Sequence, residues 1–524
     1  MGFYLNPGNG GFLDALRSQI YVDKTGLIAH TNRFINTDDK FMCVSRPRRF
    51  GKSMALTMLA AYYSCGCDSR ELFSGKQIEK DGSFETHLNQ YDVIFLNMQQ
   101  FLIEAEQGNV TKLLEQEVLE ELWEEYGGSI KAPARGLADA LRKIYKKDGK
   151  KFIFLIDEWD CAVRERQESE ALQKQYLDFL RNLLKDQPYV ALAYMTGILP
   201  IKKYGQHSAL NMFWEYSMTG QGVLEEYAGF TEREVEGLCQ RFGMDFAEAG
   251  SWYDGYRFQA FLHVYNPQSV VAAMKCHTFS SYWTSTETYE ALKIYMDMDF
   301  DGLRAEIVQM LGGGSVKVNT RSFQNDMRTF RTKDDVLTLL IHLGYLGYDP
   351  KAQEAFIPNK EIAGEFENAM SVGGWAEVVR ILEDSERLLE ATLCCDGKSV
   401  AEGLEKAHTE VASILTYNDE NCLGCAIGLA YYSARKDYKI VREFPTGRGF
   451  ADVVFLPLPS SGKPAVVVEL KYGKSAAGAI QQIKDREYTQ ALEGYTGEIL
   501  LVGVNYEKDG KNKGHSCVIE KQRR

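Results

Sequence analysis

Phe41-Met42-Cys43-Val44-Ser45-Arg46-Pro47-Arg48-Arg49-Phe50-Gly51-Lys52-Ser53 reads as an apolar run, a basic turn and the start of a helix that continues over Met54–Tyr63. A buried strand, then positive charge at a helix N-terminus, presents backbone N–H groups and an ammonium to an anion. Further apolar runs at Val93–Met98, Phe152–Ile156 and Val190–Thr196 alternate with amphipathic helical periods. Uninterrupted apolar strands separated by helices predict an α/β fold with a parallel sheet covered on both faces.

The strand signal fades after about Thr231, and helical periods such as Asp335–Leu343 and Trp375–Leu389 take over. Leu343–Asp349 and Glu354–Pro358, flanking a polar turn, predict a winged-helix-like hairpin within this mostly helical stretch. Beyond Val400 a helix near Asn421–Ala434 leads into strands Tyr438–Glu443, Ala451–Leu456 and Ala465–Leu470, a helix from Ser475 and a strand at Ile499–Val504. The expected organisation is therefore a parallel-sheet domain over 1–230, a mostly helical region over 231–400 and an αβββαβ domain over 401–524. With 524 residues the chain is too long for a single core.

Composition narrows the class further. At 45% hydrophobic and 25% charged residues the chain is globular, and its formal charge of −13 excludes a protein that coats nucleic acid over its whole surface. Local balance differs: Tyr431 to Arg524 holds 16 Lys/Arg against 11 Asp/Glu, a surplus of 5, ending in Lys521, Arg523 and Arg524. That surplus suits phosphate contact or a solvated tail equally well. The longest apolar stretch, Tyr189–Ile201, is too short to span a bilayer, and Met1–Gly10 lacks a secretory pattern, so the expected address is the cytoplasm without membrane partners. The 11 cysteines are irregularly spaced. Cys422 and Cys425 form one CxxC without a second pair, which favours buried thiols on a helix over a zinc site.

Two stretches carry chemistry. In the first, Arg46–Ser53 has the placement of a P-loop: Lys52 can reach the β- and γ-phosphates of ATP, Ser53 can hold Mg²⁺, and Arg49 and Gly51 are counted with them as ATP-binding residues. The general pattern asks for glycine where Arg46 stands. Lys151-Phe152-Ile153-Phe154-Leu155-Ile156-Asp157-Glu158 ends a buried strand in two carboxylates and resembles a Walker B strand. There Asp157 would orient the Mg²⁺ shell and Glu158 would polarise the attacking water. Thr196, ending another apolar strand, is a candidate γ-phosphate sensor or an ordinary strand end.

In the second, Val466-Val467-Val468-Glu469-Leu470-Lys471 follows Gly447-Arg448-Gly449-Phe450-Ala451-Asp452. Strand alternation sends Glu469 and Lys471 to one face, and Asp452 can meet them from the neighbouring strand. Converging carboxylates suit Mg²⁺ or Mn²⁺, and with a lysine beside them they form a phosphodiesterase constellation. Charged strand ends facing solvent are the bland alternative.

Tyr21-Val22-Asp23-Lys24-Thr25, Arg46–Ser53, Ile156–Asp160, Thr196-Gly197-Ile198, Tyr227–Thr231, Trp252–Phe258 and Tyr265-Asn266-Pro267 together resemble the AAA-ATPase-like family of prokaryotic proteins. The resemblance implies that RPRRFGKS is the family's own form of the P-loop and that a C-terminal nuclease-superfamily domain follows. Pro200 stands where relatives tend to carry arginine, so no arginine sensor is assigned there. Residues 405–505 resemble the PD-(D/E)XK nuclease superfamily, a restriction-endonuclease-like fold. That resemblance implies metal-binding roles for Asp452, Glu469 and, on the first helix, Glu420. It implies a catalytic role for Lys471 and supporting roles for Gln482, which lies in Ala479–Ile483 ahead of Tyr488, and for Arg448. The close branch often reads GR-x-D, from which this spacing of Arg448 and Asp452 departs.

The expected function is an ATP-binding, Mg²⁺- or Mn²⁺-dependent nuclease, with DNA favoured over RNA as partner, controlled by or coupled to the N-terminal module. Self-association into a homo-oligomer is compatible with it. The alternative is a nucleotide-dependent switch that grips nucleic acid or a partner without cutting.

Overall fold

The computed structural model describes every residue except 1, 106–108, 131–133, 202–209, 221, 284–288, 299, 325–326, 328, 372–373, 416–419, 446–449, 459–460, 487, 489–491, 493–494, 508–513 and 524. The chain divides into two units. One comprises Met1–Phe246, Tyr253–Thr278 and Lys317–Glu354, the other Ala247–Trp252, Phe279–Val316 and Ala355–Arg524. The span 231–400 contributes to both.

The first unit is built on β1 (Phe41–Ser45), α1 (Lys52–Tyr63), β2 (Asp92–Asn97), β3 (Phe152–Asp157), β4 (Val190–Gly197) and β5 (Trp214–Tyr216). The strands lie in the order β2-β3-β4-β1-β5, and every pairing is parallel. Alternation along the strands feeds two cores. Phe41, Cys43, Phe152, Phe154 and Ile156 pack on one face, and Met42, Val44, Ile153 and Leu155 on the other. Full burial of an Ile, Leu or Phe contributes about 1.5–3 kcal/mol each, which is why these runs carry no polar alternation. The four strands read from the sequence are present. The fifth, β5, is a three-residue edge beside β1.

Sheet order places the chemistry. β4 separates β1 from β3, with Ser45 opposite Gly197 and Ile156 opposite Met195, so the carboxyl ends of all three strands arrive together. In open parallel sheets that edge is where ligands bind.

Between residues 231 and 400 helices dominate, among them Glu232–Phe242, Pro267–Cys276, Leu303–Leu311, Lys333–Leu343 and Lys360–Ser371. The short strands Gly347–Asp349 and Glu354–Phe356 stand where the hairpin is expected.

The second unit contains α2 (Ala376–Leu393), α3 (Gly397–Leu415), α4 (Glu420–Ala430), β6 (Tyr438–Pro445), β7 (Phe450–Pro457), β8 (Ala465–Tyr472), α5 (Ala476–Asp485), β9 (Glu498–Glu507) and β10 (Gly514–Arg523). Its sheet runs β6-β7-β8-β9-β10, parallel at β8–β9 and antiparallel elsewhere, so α5 is the crossover of a βαβ unit. The predicted αβββαβ order is present, with one strand more. The basic C-terminal stretch is β10, paired with β9 from Gly514 to Arg523, and is not a loose solvated tail. Charged residues on such an edge discourage further strand addition.

Gly503 on β9 lies opposite Glu469 on β8. A Cβ there would come within 2.3 Å of the Ala476 carbonyl oxygen, so glycine is what lets the start of α5 rest on the sheet beside Glu469. Cys422 and Cys425 are buried thiols on α4, as the single CxxC suggested. Among the described residues no helix is long and apolar enough to cross a membrane.

Candidate functional site

The C-terminal site starts from strand register. β7 and β8 pair with Val453 opposite Val468 and Val454 opposite Val467, and one further step along that register brings Asp452 opposite Glu469. Asp452 Oδ2 accepts a hydrogen bond of 2.6 Å from the backbone N–H of Leu470. Glu469 and Lys471 share a face, and the Lys471 ammonium donates to Glu469 Oε1 at 2.7 Å. From α5, Gln482 Nε2 donates to the same Oε1 and, at 3.2 Å, to the Tyr488 hydroxyl, which also accepts from Arg486 at 3.2 Å.

Glu469 is only 2% exposed, and the burial is lopsided: Oε1 has two donors, while Oε2 is buried with no hydrogen-bond partner. Burial pushes the Glu469 carboxyl above its usual range; the Lys471 hydrogen bond opposes the shift and the nearby Asp452 charge adds to it. An unmatched buried carboxylate oxygen is costly, and a bound cation removes that cost. Asp452 and Glu469 offer hard oxygen donors, so the residues fit Mg²⁺ or Mn²⁺. Among the described residues no group of three or more His, Cys, Asp or Glu stands ready to hold a metal. Water and substrate phosphate would supply the remaining ligands, the usual habit of Mg²⁺. Glu420 opens α4, but its side chain, like the whole of Arg448, lies outside the described residues.

The N-terminal site surrounds the turn between β1 and α1. Gly51 caps α1 at φ 85°, a left-handed conformation that a Cβ disfavours, and Arg49 turns the chain at φ 67°. Arg48, Arg49, Gly51, Lys52 and Ser53 line a cleft of about 450 Å³ together with Glu158. Lys24, Tyr227 and Pro267 line it too, so five segments distant in sequence converge on one cavity. Lys52 is buried, and its ammonium donates to the carbonyls of Arg46 at 3.0 Å and Pro47 at 2.8 Å. Burial lowers its pKa, and the charges of Glu158, Asp160 and Asp157 oppose that shift.

Thr196 is fully buried and its hydroxyl donates to Asp157 Oδ1 at 2.5 Å, a bond across β3 and β4. Glu158 follows at φ 53°, with its carboxyl pushed upward by burial and restrained by Lys52 and Arg164. Arg46 does not face the cleft. Its guanidinium is buried, donates to the Ser45 and Tyr216 carbonyls at 3.0 and 2.8 Å and stacks 4.6 Å from the Phe258 ring centre. The position that the general pattern reserves for glycine is thus an anchor for β5.

One partner escaped the sequence reading. Arg164 donates to Glu158 and, through Nε at 3.0 Å, to Asp160, whose Oδ2 also accepts from the backbone N–H groups of Ile198 and Leu199. The spacing of Asp160 and Arg164, one helical turn apart, is the signal that could have found it.

Residues 15–206 match the family model described as predicted AAA-ATPase, and residues 419–516 match the model of the PD-(D/E)XK nuclease superfamily. The uncharacterized protein in the vnfD 5′ region of Azotobacter chroococcum mcd 1 is 23% identical over 518 residues, covering 94% of each chain. The Walker-type ATPase of Pyrococcus abyssi aligns at a TM-score of 0.33 and 12% identity, over 65% of this chain and 94% of that one. The chain therefore joins a predicted AAA-ATPase segment, which holds the β1–α1 turn with Lys52, Ser53, Asp157 and Glu158, to a PD-(D/E)XK nuclease superfamily segment, which holds Asp452, Glu469 and Lys471.

Proposed function

We propose that the chain is a metal-dependent nuclease, acting on DNA, whose cutting is regulated by nucleotide bound at the β1–α1 cleft. The observation that carries this reading is Glu469: buried, held through one oxygen by Lys471 and Gln482, and left without a hydrogen-bond partner at the other. A divalent ion bound to Asp452 and Glu469 would acidify water and offset charge on a phosphodiester. Lys471 then places an ammonium next to that carboxylate, where it orients the attacking water or neutralises a phosphate oxygen. Gln482 fixes the Glu469 rotamer, and the Leu470 N–H fixes Asp452.

In the first unit, Lys52 and the N–H groups at the start of α1 bind the phosphates of ATP, and Ser53 with Asp157 holds Mg²⁺. Thr196 acts through Asp157, keeping its second oxygen free for that shell. Glu158 is the base for water.

The test is a cleavage assay on linear and circular DNA with Mn²⁺ or Mg²⁺. The wild type cuts, Lys471→Ala does not, and Lys52→Ala alters the nucleotide dependence of cutting. DNA binding of equal strength by wild type and Lys471→Ala, with no cleavage by either, would replace this reading with a nucleotide-dependent switch.

A further inference from the structure

β7 presents different residues to a packed core on one face and to a cleft on the other. Val454 belongs to the core with Ile480 and Ile483 of α5, on the face that carries Asp452, whereas Val453 and Phe455 line a cleft of about 540 Å³ on the other face. Four basic residues, Lys360, Arg435, Lys439 and Arg442, also line that cleft, and among the described residues no Asp or Glu does. In a chain with 73 acidic and 60 basic residues, four cations on a wall that carries no acid give the cleft a local positive excess, although the charges of Glu248 and Asp437 reach Lys360 from outside it.

Two of the four, Arg435 and Arg442, meet at one glycine. A Cβ on Gly313 would lie 3.7 Å from Arg435 Nη2 and 4.0 Å from Arg442 Cδ, so both side chains flank the same glycine. Arg435 is fixed, donating to the Leu311 carbonyl at 2.6 Å and lying 4.3 Å from the centre of the Tyr432 ring. Arg442 has no hydrogen bond or ion pair among the described residues. Tyr438, also in the cleft lining, is 1% exposed, and its hydroxyl has no hydrogen-bond partner. A buried hydroxyl and an unpaired guanidinium are the polar groups that a phosphate satisfies. The rest of the wall, including Ile427, Ile440, Val453 and Phe455, is apolar.

The geometry points to a third ligand site, separate from the metal site and from the β1–α1 cleft, that takes a nucleoside monophosphate: its phosphate on Arg435 and Arg442, its base against the apolar wall. The volume falls in the range of small-ligand sites, roughly 300–1,000 Å³. Because Asp452 and Val453 are neighbours on β7, an occupant of the cleft bears on the strand that carries a metal ligand.

The test uses the full chain with Lys52→Ala, so that the β1–α1 cleft does not compete, and calorimetric titration with AMP, GMP, CMP, UMP and a 20-nucleotide single-stranded DNA. At least one mononucleotide binds, and Arg442→Ala weakens it about tenfold, as expected for loss of one charge-assisted contact, while Arg442→Lys retains part of the affinity. Arg442 makes no intramolecular bond among the described residues, so its alanine variant keeps the parent's unfolding midpoint. The assignment is overturned if no mononucleotide binds at millimolar concentration, or if binding is indifferent to both Arg442→Ala and Arg435→Ala. It is equally overturned if only the 20-nucleotide strand binds in an Arg442-dependent way, which would make the cleft a backbone-binding surface.

Discussion

Arg164 holds Glu158 and Asp160 at once, with a side chain only 7% exposed. Removing it strands the fully buried Asp160 without its counter-charge. Breaking such a buried pair costs about 3–5 kcal/mol. Arg164→Ala is expected to lower the unfolding free energy by about 3 kcal/mol, read by urea denaturation. Arg164→Lys recovers part of that loss but not the two-pronged contact.

Glu469 supplies a pH signature. Its folded pKa is raised mainly by burial, so the native state keeps a proton that the unfolded chain releases in the ordinary glutamate range. Stability from this group is therefore present at low pH and lost as pH rises from the unfolded value through the higher folded one. In chelator, Glu469→Gln removes that decline, and the variant is the more stable protein at neutral pH. Mn²⁺ stabilises the wild type there and leaves Glu469→Gln unchanged. Equal Mn²⁺ stabilisation of both proteins would remove Glu469 from the metal site.

Gln482 is a positioning residue. It reaches Glu469 and Tyr488 but is not itself an acid or base. Gln482→Ala is expected to weaken Mn²⁺ binding about tenfold, the usual effect of losing a partner that orients a ligand. Calorimetry reads the affinity directly, and Gln482→Glu, which adds charge beside Glu469, shifts the pH dependence of binding upward.

Gly503 tests the fit of α5. The Ala476 carbonyl lies 2.3 Å from where a Cβ would sit, a clash with backbone that cannot rotate away. Gly503→Ala is expected to cost about 1–3 kcal/mol by thermal unfolding. It also reduces metal affinity in step, because moving α5 displaces Gln482.

Much of this architecture is legible in residue order. β1, β3 and β4 are unbroken apolar runs because both faces of their sheet are covered, and such runs need no tertiary information to be recognised. β5 escapes because Trp214–Tyr216 is short and partly exposed, and it exists through its pairing with β1. β10 escapes for the related reason that its half-buried His515, Cys517 and Ile519 alternate with exposed Ser516, Val518 and Glu520, a weak pattern that becomes a strand only beside β9. The alternation of Glu469 and Lys471 is readable from period two, but not the one-sided satisfaction of the Glu469 carboxylate, which depends on α5 arriving over Gly503. The role of Arg46 is equally hidden, since its partners Tyr216 and Phe258 come from another strand and a loop, whereas Arg164 lies within one helical turn of Asp160 and could have been read from spacing.

The alternation of β7 has a genetic corollary. Sliding that strand by one residue would swap its sides, carrying Asp452 away from Glu469 and turning Val453 out of the basic hollow in the same event. An insertion or deletion ahead of Asp452 within this strand of eight residues is therefore expected to disturb the acidic pair and the basic cleft in one event.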